Sequence, residues 1–86
     1  MKNPDFLKEV AAKVTQIKTK KGKSPYHSPH EGYGFMAEEF AELLDEIRQH
    51  HPRRRPNHQR LRSELVDIVA IAVIMANQIE EGTIDQ

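Results

Sequence analysis

Cysteine and tryptophan are both absent from this chain. Without cysteine there are no disulfides to brace a small fold and no thiolate metal ligands. Aromatic residues make up only 6% of the composition, so the basic stretches lack the interleaved rings of a nucleic-acid platform. An excess of charge of one sign is missing too. Thirteen Lys plus Arg balance 13 Asp plus Glu, which removes any general pull towards nucleic acid or a membrane surface. No apolar run reaches bilayer length, and the run Leu65–Ala76 is interrupted by Asp67. The opening MKNPDFLKEV has no apolar signal core. The expectation is a cytoplasmic protein with no nucleic-acid or membrane partner. At 86 residues it is read as one domain, 1–86, whose own core is small. Oligomerisation is then the remaining common source of stability.

What is present reads as helix throughout, with no repeat, strand alternation or low-complexity segment. Asn3-Pro4 is a cap followed by proline at the first helical position, and Phe6, Val10, Val14 and Ile17 recur at helical spacing. A first helix is predicted from about Pro4 to Lys20. Gly22 and Pro25 break the chain in a basic, polar loop. Ser28-Pro29-His30-Glu31 is a capping box with proline at the first helical position. It starts a second helix that should reach about Gln49. Tyr33, Met36, Phe40, Leu43, Leu44 and Ile47 form its apolar face, where core packing is expected of Tyr33. Glu31, Glu38, Glu42 and Asp45 lie opposite, with Glu39 at the border. Pro52 and Pro56 bracket a loop holding Arg53, Arg54 and Arg55. Asn57 caps a third helix predicted to run to about Glu80, with Gly82 as its stop. The middle of this helix is apolar almost all round, so it needs cover on several sides. Three helices of one short chain supply too little. The expected fold class is therefore all-α, three main helices per chain, completed as a dimer or tetramer with the third helix near its centre.

Asp67 decides the chemistry. An ionised carboxylate among apolar residues is costly unless it is paired or binds a cation. Residues three apart share a helix face, so Glu64 and Asp67 point together, as do Glu39 and Glu42. If the second and third helices pack antiparallel, the two pairs face each other across an all-oxygen site. Such donors suit magnesium or manganese. No Glu has a His three residues later, which argues against a di-iron carboxylate bundle. The other partner open to Asp67 is a salt bridge, to Arg60 or Arg62 of another subunit or to a lysine of the first helix. Taken alone, Glu38, Glu42 and Asp45 read as a solvated face.

The order E-E-x-x-E at 38–42, then residues 43–63, then E-x-x-D at 64–67 resembles the signature of the MazG-like, all-α nucleotide pyrophosphohydrolases. HSPHEGYGFMAEEFAELLDEI resembles the small stand-alone members, and the apolar stretch after Asp67 also fits. The resemblance covers the second and third helices and, loosely, the first. It implies hydrolysis of a nucleoside triphosphate between its α- and β-phosphates, with release of a monophosphate and pyrophosphate. It also implies magnesium, and a site at the interface of a helical homo-oligomer built as a four-helix-bundle assembly. The implied metal ligands are Glu39, Glu42, Glu64 and Asp67, with Glu38 as an extra ligand or as the group that orients the attacking water. The chain departs from the larger MazG proteins, which carry an early C-P-W-D-like segment. It is also short after the third helix, where some relatives have a fourth.

A triphosphate needs cations besides the metal. Lys18, Lys20, Lys21 and Lys23 precede the second helix, and Lys20 and Lys23 are taken as candidate phosphate contacts against a solvated-loop reading. His30 and Asn77 are candidate nucleotide contacts, although an exposed turn residue and a helix-terminal amide need no such role. Arg53–Arg55 read as solvated or as oligomer contacts, while Arg60 and Arg62 lie closer to Glu64. Two readings leave the sequence: a magnesium-dependent pyrophosphohydrolase, with nucleotide-pool cleaning as one task open to it, and a non-catalytic helical oligomerisation or partner-binding module with Asp67 in a buried salt bridge.

Overall fold

The computed structural model describes residues 3–48 and 58–84, and among these the elements are three helices: α1 (Asn3–Lys21), α2 (Pro29–Arg48) and α3 (His58–Glu81). The expected Pro52–Pro56 loop, its arginines and the Asn57 cap lie outside the described residues.

Local chemistry accounts for the helix ends. Gly22 takes a φ of 96°, and its N–H donates to the Lys18 carbonyl at 2.8 Å, closing α1 with a left-handed residue. At the start of α2 the Glu31 N–H donates to Ser28 Oγ, and the His27 N–H donates to Glu31 Oε1, both at 3.1 Å. This is the capping box, with its return bond one residue earlier than usual. Gly82, at a φ of 71°, ends α3. Its N–H donates to the Ile79 carbonyl, and the Thr83 N–H donates to the Gln78 carbonyl at 2.9 Å. These two bonds form a Schellman motif, and the chain reversal drops Ile84 into the core.

α3 is the shared element. α1 and α2 both pack on it, while their own backbones stay apart. Glu46 pairs with Arg60 and Gly32 abuts Met75, so α2 runs antiparallel to α3. Glu9 pairs with Arg62 and Lys13 with Asp67, so α1 runs parallel to it. One core cluster joins Tyr26, Ile71, Ile74 and Ile84, and a second joins Val10, Val66 and Ala70. A Cβ on Gly32 would lie 2.5 Å from Met75 Sδ. The absence of a side chain there lets α2 lie close against α3.

That close approach also rotates α2 away from the expected face. Its inward side carries Gly32, Met36, Glu39 and Leu43. Tyr33, expected in the core, is 67% exposed, and Phe40, Leu44 and Ile47 are also exposed. Periodicity finds the stripe but does not say which edge of it meets the neighbouring helix. Tyr26, from the loop before α2, supplies the buried aromatic instead. On α3, Leu65, Val73 and Ile79 are exposed as well. Leu65 and Ile79 lie on the side of α3 away from α1, which covers Val66 and Ala70, whereas Val73 continues the Val66–Ala70 row at helical spacing. On α2, Tyr33, Phe40, Leu44 and Ile47 lie away from Phe35, which meets Lys21 of α1.

Candidate functional site

The separation of α1 from α2 leaves an open cleft with α3 as its floor. Its lining includes Lys13, Gln16, Lys20 and Lys21 from α1, Tyr26 from the loop, Phe35 and Glu39 from α2, and Asp67 and Ile71 from α3. Glu39, Glu64 and Asp67 each bring a carboxylate oxygen within 4.8 Å of the others. The antiparallel pairing of α2 with α3 produces this convergence: it sets Glu39 opposite Glu64, and Asp67 follows one turn on, on the same face.

The cluster is electrostatically unfinished. Oε2 of Glu39 and Oε2 of Glu64 are buried and receive no hydrogen bond. Burial, together with a hydrogen bond to Glu64 and the charges of Asp67, Glu42 and Glu64, pushes the Glu39 carboxyl up to about 8. Glu64 is also raised, chiefly by burial, with Glu42 and Asp67 adding to the shift and its bond with Glu39 opposing it. The natural arrangement is a Glu39 that keeps its proton and donates to Glu64. Two buried, unbonded oxygens among crowded carboxyls are what a bound cation would satisfy, so the residues present fit an oxygen-ligated divalent ion.

The structure gathers three of the four expected ligands directly. Glu42 is exposed at the rim, close enough to raise both Glu39 and Glu64. Glu38 is exposed beside a separate surface hollow with Glu31, Gly34 and Phe35. Lys20 lines the cleft, whereas Lys23, His30 and Asn77 are exposed and do not line it. Of the partners open to Asp67, a lysine of the first helix is the one seen: Lys13 Nζ is 3.4 Å from Asp67 Oδ1. Arg60 pairs with Glu46, and Arg62 with Glu9.

Sequence reasoning did not single out Lys13 among the lysines of the first helix, and it missed Gln16, Tyr26, Phe35 and Gln78. A signal for the first two was present, since Lys13, Gln16 and Lys20 share one face of α1. Tyr26 and Phe35 meet with ring centroids 5.7 Å apart, and Lys21 Nζ stands 3.7 Å from the Phe35 centroid. Burial, with the charges of Glu31 and Glu39, raises the Tyr26 phenol and keeps it protonated. Gln78, 1% exposed, holds Tyr26 at both backbone groups. It accepts from the Tyr26 N–H at 3.2 Å and donates to the Tyr26 carbonyl at 2.7 Å. Nothing in a lone glutamine near a helix end announces that role.

The cleft thus combines a carboxylate cluster, a lysine-bearing wall and an aromatic pair. The first two are complementary to a cation and to an anionic chain. A family model described as the MazG nucleotide pyrophosphohydrolase domain matches residues 28–86. No curated protein and no solved structure matches the chain.

Proposed function

The chain belongs to the MazG nucleotide pyrophosphohydrolase domain family, and on that premise we propose that it is a divalent-metal-dependent nucleoside triphosphate pyrophosphohydrolase. The observation carrying this reading is the convergence of Glu39, Glu64 and Asp67, with two orphaned buried oxygens, on the wall of a lysine-bearing cleft.

In this reading Glu39, Glu64 and Asp67 hold magnesium or manganese, with Glu42 joining from the rim. When bound, the ion neutralises phosphate charge and eases deprotonation of the attacking water. Lys20 and Lys21 bind phosphate oxygens from the α1 wall. Phe35, half-buried at the cleft and backed by the buried Tyr26, is proposed to give the nucleobase an apolar contact. Glu38, one residue from Glu39 and open to solvent, is proposed to orient the water. The water oxygen bonds to the α-phosphorus as its proton passes to solvent, the bond from that phosphorus to the bridging oxygen breaks, and pyrophosphate leaves. No cysteine exists to serve as a nucleophile, and direct attack by water is proposed. A second copy of the chain is proposed to cover the exposed apolar side of α2 and α3, giving a homo-oligomer.

The test is product analysis with magnesium across ribo- and deoxyribonucleoside triphosphates. Monophosphate and pyrophosphate in equal amounts are expected. Diphosphate with orthophosphate, or no turnover on any of them, would reject the reading. The Lys13–Asp67 pair favours a second reading, a non-catalytic module whose Asp67 is held by a salt bridge. Such a module would gain no thermal stability from magnesium, whereas the enzyme would.

A further inference from the structure

Lys13 is a cation that the proposed reaction leaves without a task. Its Nζ lies 3.4 Å from Asp67 Oδ1, with its side chain one-third exposed. Asp67 is also one of the three carboxylates whose oxygens gather within 4.8 Å. The ammonium therefore touches one edge of the cluster and leaves the buried Oε2 atoms of Glu39 and Glu64 without a donor. One single charge only partly compensates three crowded carboxyl groups. A pair this exposed shifts an equilibrium by a factor of about five or less, so a divalent ion can displace it.

Once displaced, the ammonium has a place to go. Lys13, Gln16, Ile17 and Lys20 follow at three- and four-residue spacing on α1, and all line the cleft with Glu39 and Asp67. At about 1.5 Å rise per residue, Lys13 and Lys20 stand about 10 Å apart along the axis. An extended polyphosphate lying along α1 meets both. We propose that Lys13 is an exchangeable cation, which occupies Asp67 until a divalent ion takes the carboxylates and then binds a phosphate oxygen of the nucleotide. The proposal rests on the pyrophosphohydrolase reading. It adds a residue from the helix that the family match, which starts at residue 28, does not include.

The two halves predict changes of opposite sign in one variant. Binding of manganese alone, read by its electron paramagnetic resonance, should tighten about two- to fivefold in Lys13→Met, because a competing charge is gone. Binding of a non-hydrolysable α,β-methylene triphosphate at saturating magnesium, read by calorimetry, should weaken about tenfold or more, because a charge-assisted bond is lost. Lys13→Arg should keep the analogue affinity within about threefold. Lys13→Gln gives the same two readings should the methionine variant fail to fold. Unchanged or weaker manganese binding, or unchanged analogue binding, overturns the role of Lys13. If the wild-type protein binds neither manganese nor the analogue, the pyrophosphohydrolase reading falls, and this proposal with it. If the wild type binds both and the variants lack the opposed shifts, only the role of Lys13 falls.

Discussion

Glu39 stands at the border of the polar face in the sequence and at the centre of the site in the structure, and burial makes the difference. With its carboxyl pushed up to about 8 from an ordinary 4.5, the folded protein holds a proton that the unfolded chain has released between those values. The folded state then binds more protons, so the stability from this group is complete below the unfolded value and is lost as pH rises through the folded one. In the presence of a chelator, stability should therefore fall from about pH 5.5 to about pH 8.5, and Glu39→Gln should remove much of that fall. Magnesium replaces the proton, so its stabilisation should grow with pH. Thermal melts at both pH values, with chelator and with magnesium, read all three effects. A fall of the same size in Glu39→Gln would assign it to other groups. The acidic motif made Glu39 legible as a candidate ligand. Its protonation depends on Glu64 and Asp67 arriving from another helix.

At the scale of elements, α3 organises the molecule and Gln78 fastens the site to it. The loop between α1 and α2 has little structure of its own. Tyr26 nevertheless holds its place in the cleft, because both its backbone groups bond to one buried side chain. Gln78→Leu keeps much of the volume and leaves those two groups without partners. At about 1–3 kcal/mol for each buried unsatisfied group, the loss should be about 3 kcal/mol, measured by urea denaturation. Hydrogen exchange at the Tyr26 amide should speed up with it. A cost below about 1 kcal/mol would mean that water replaces the clamp. Capping boxes and stop glycines follow local rules, so the helix limits were legible. A contact between residues 26 and 78 obeys none.

At the scale of the whole molecule, the described residues cover one side of the α2–α3 pair and leave the other exposed. α1 covers one face of the α2–α3 pair, and the other presents Tyr33, Phe40, Leu44 and Ile47 beside Leu65 and Ile79. Exposed apolar residues in this number call for a partner, and a second copy supplies a matching set. Light scattering should give a mass of at least two chains at micromolar concentration. Phe40→Asp combined with Leu44→Asp should lower it to one chain and lower the melting temperature, since each copy then leaves its apolar face in water. A wild-type monomer would place a different partner on this face. No helix among the described residues is long and apolar enough to cross a membrane.

The sequence by itself determined the helical class, the three helix spans within a few residues, the break at Gly22, the stop at Gly82, and the two acidic pairs, Glu39 with Glu42 and Glu64 with Asp67, as candidates to meet. Those features rest on periodicity and capping, which act within a turn or two of the chain, and on an acidic motif whose spacing is visible in one dimension. Only the tertiary structure decided which edge of α2 turns inward, that Tyr26 rather than Tyr33 enters the core, and that Lys13 holds Asp67. Each of these depends on how closely two helices approach and how far each is rotated about its axis. Gly32 against Met75 and α1 lying parallel to α3 settle both, between residues far apart in the chain.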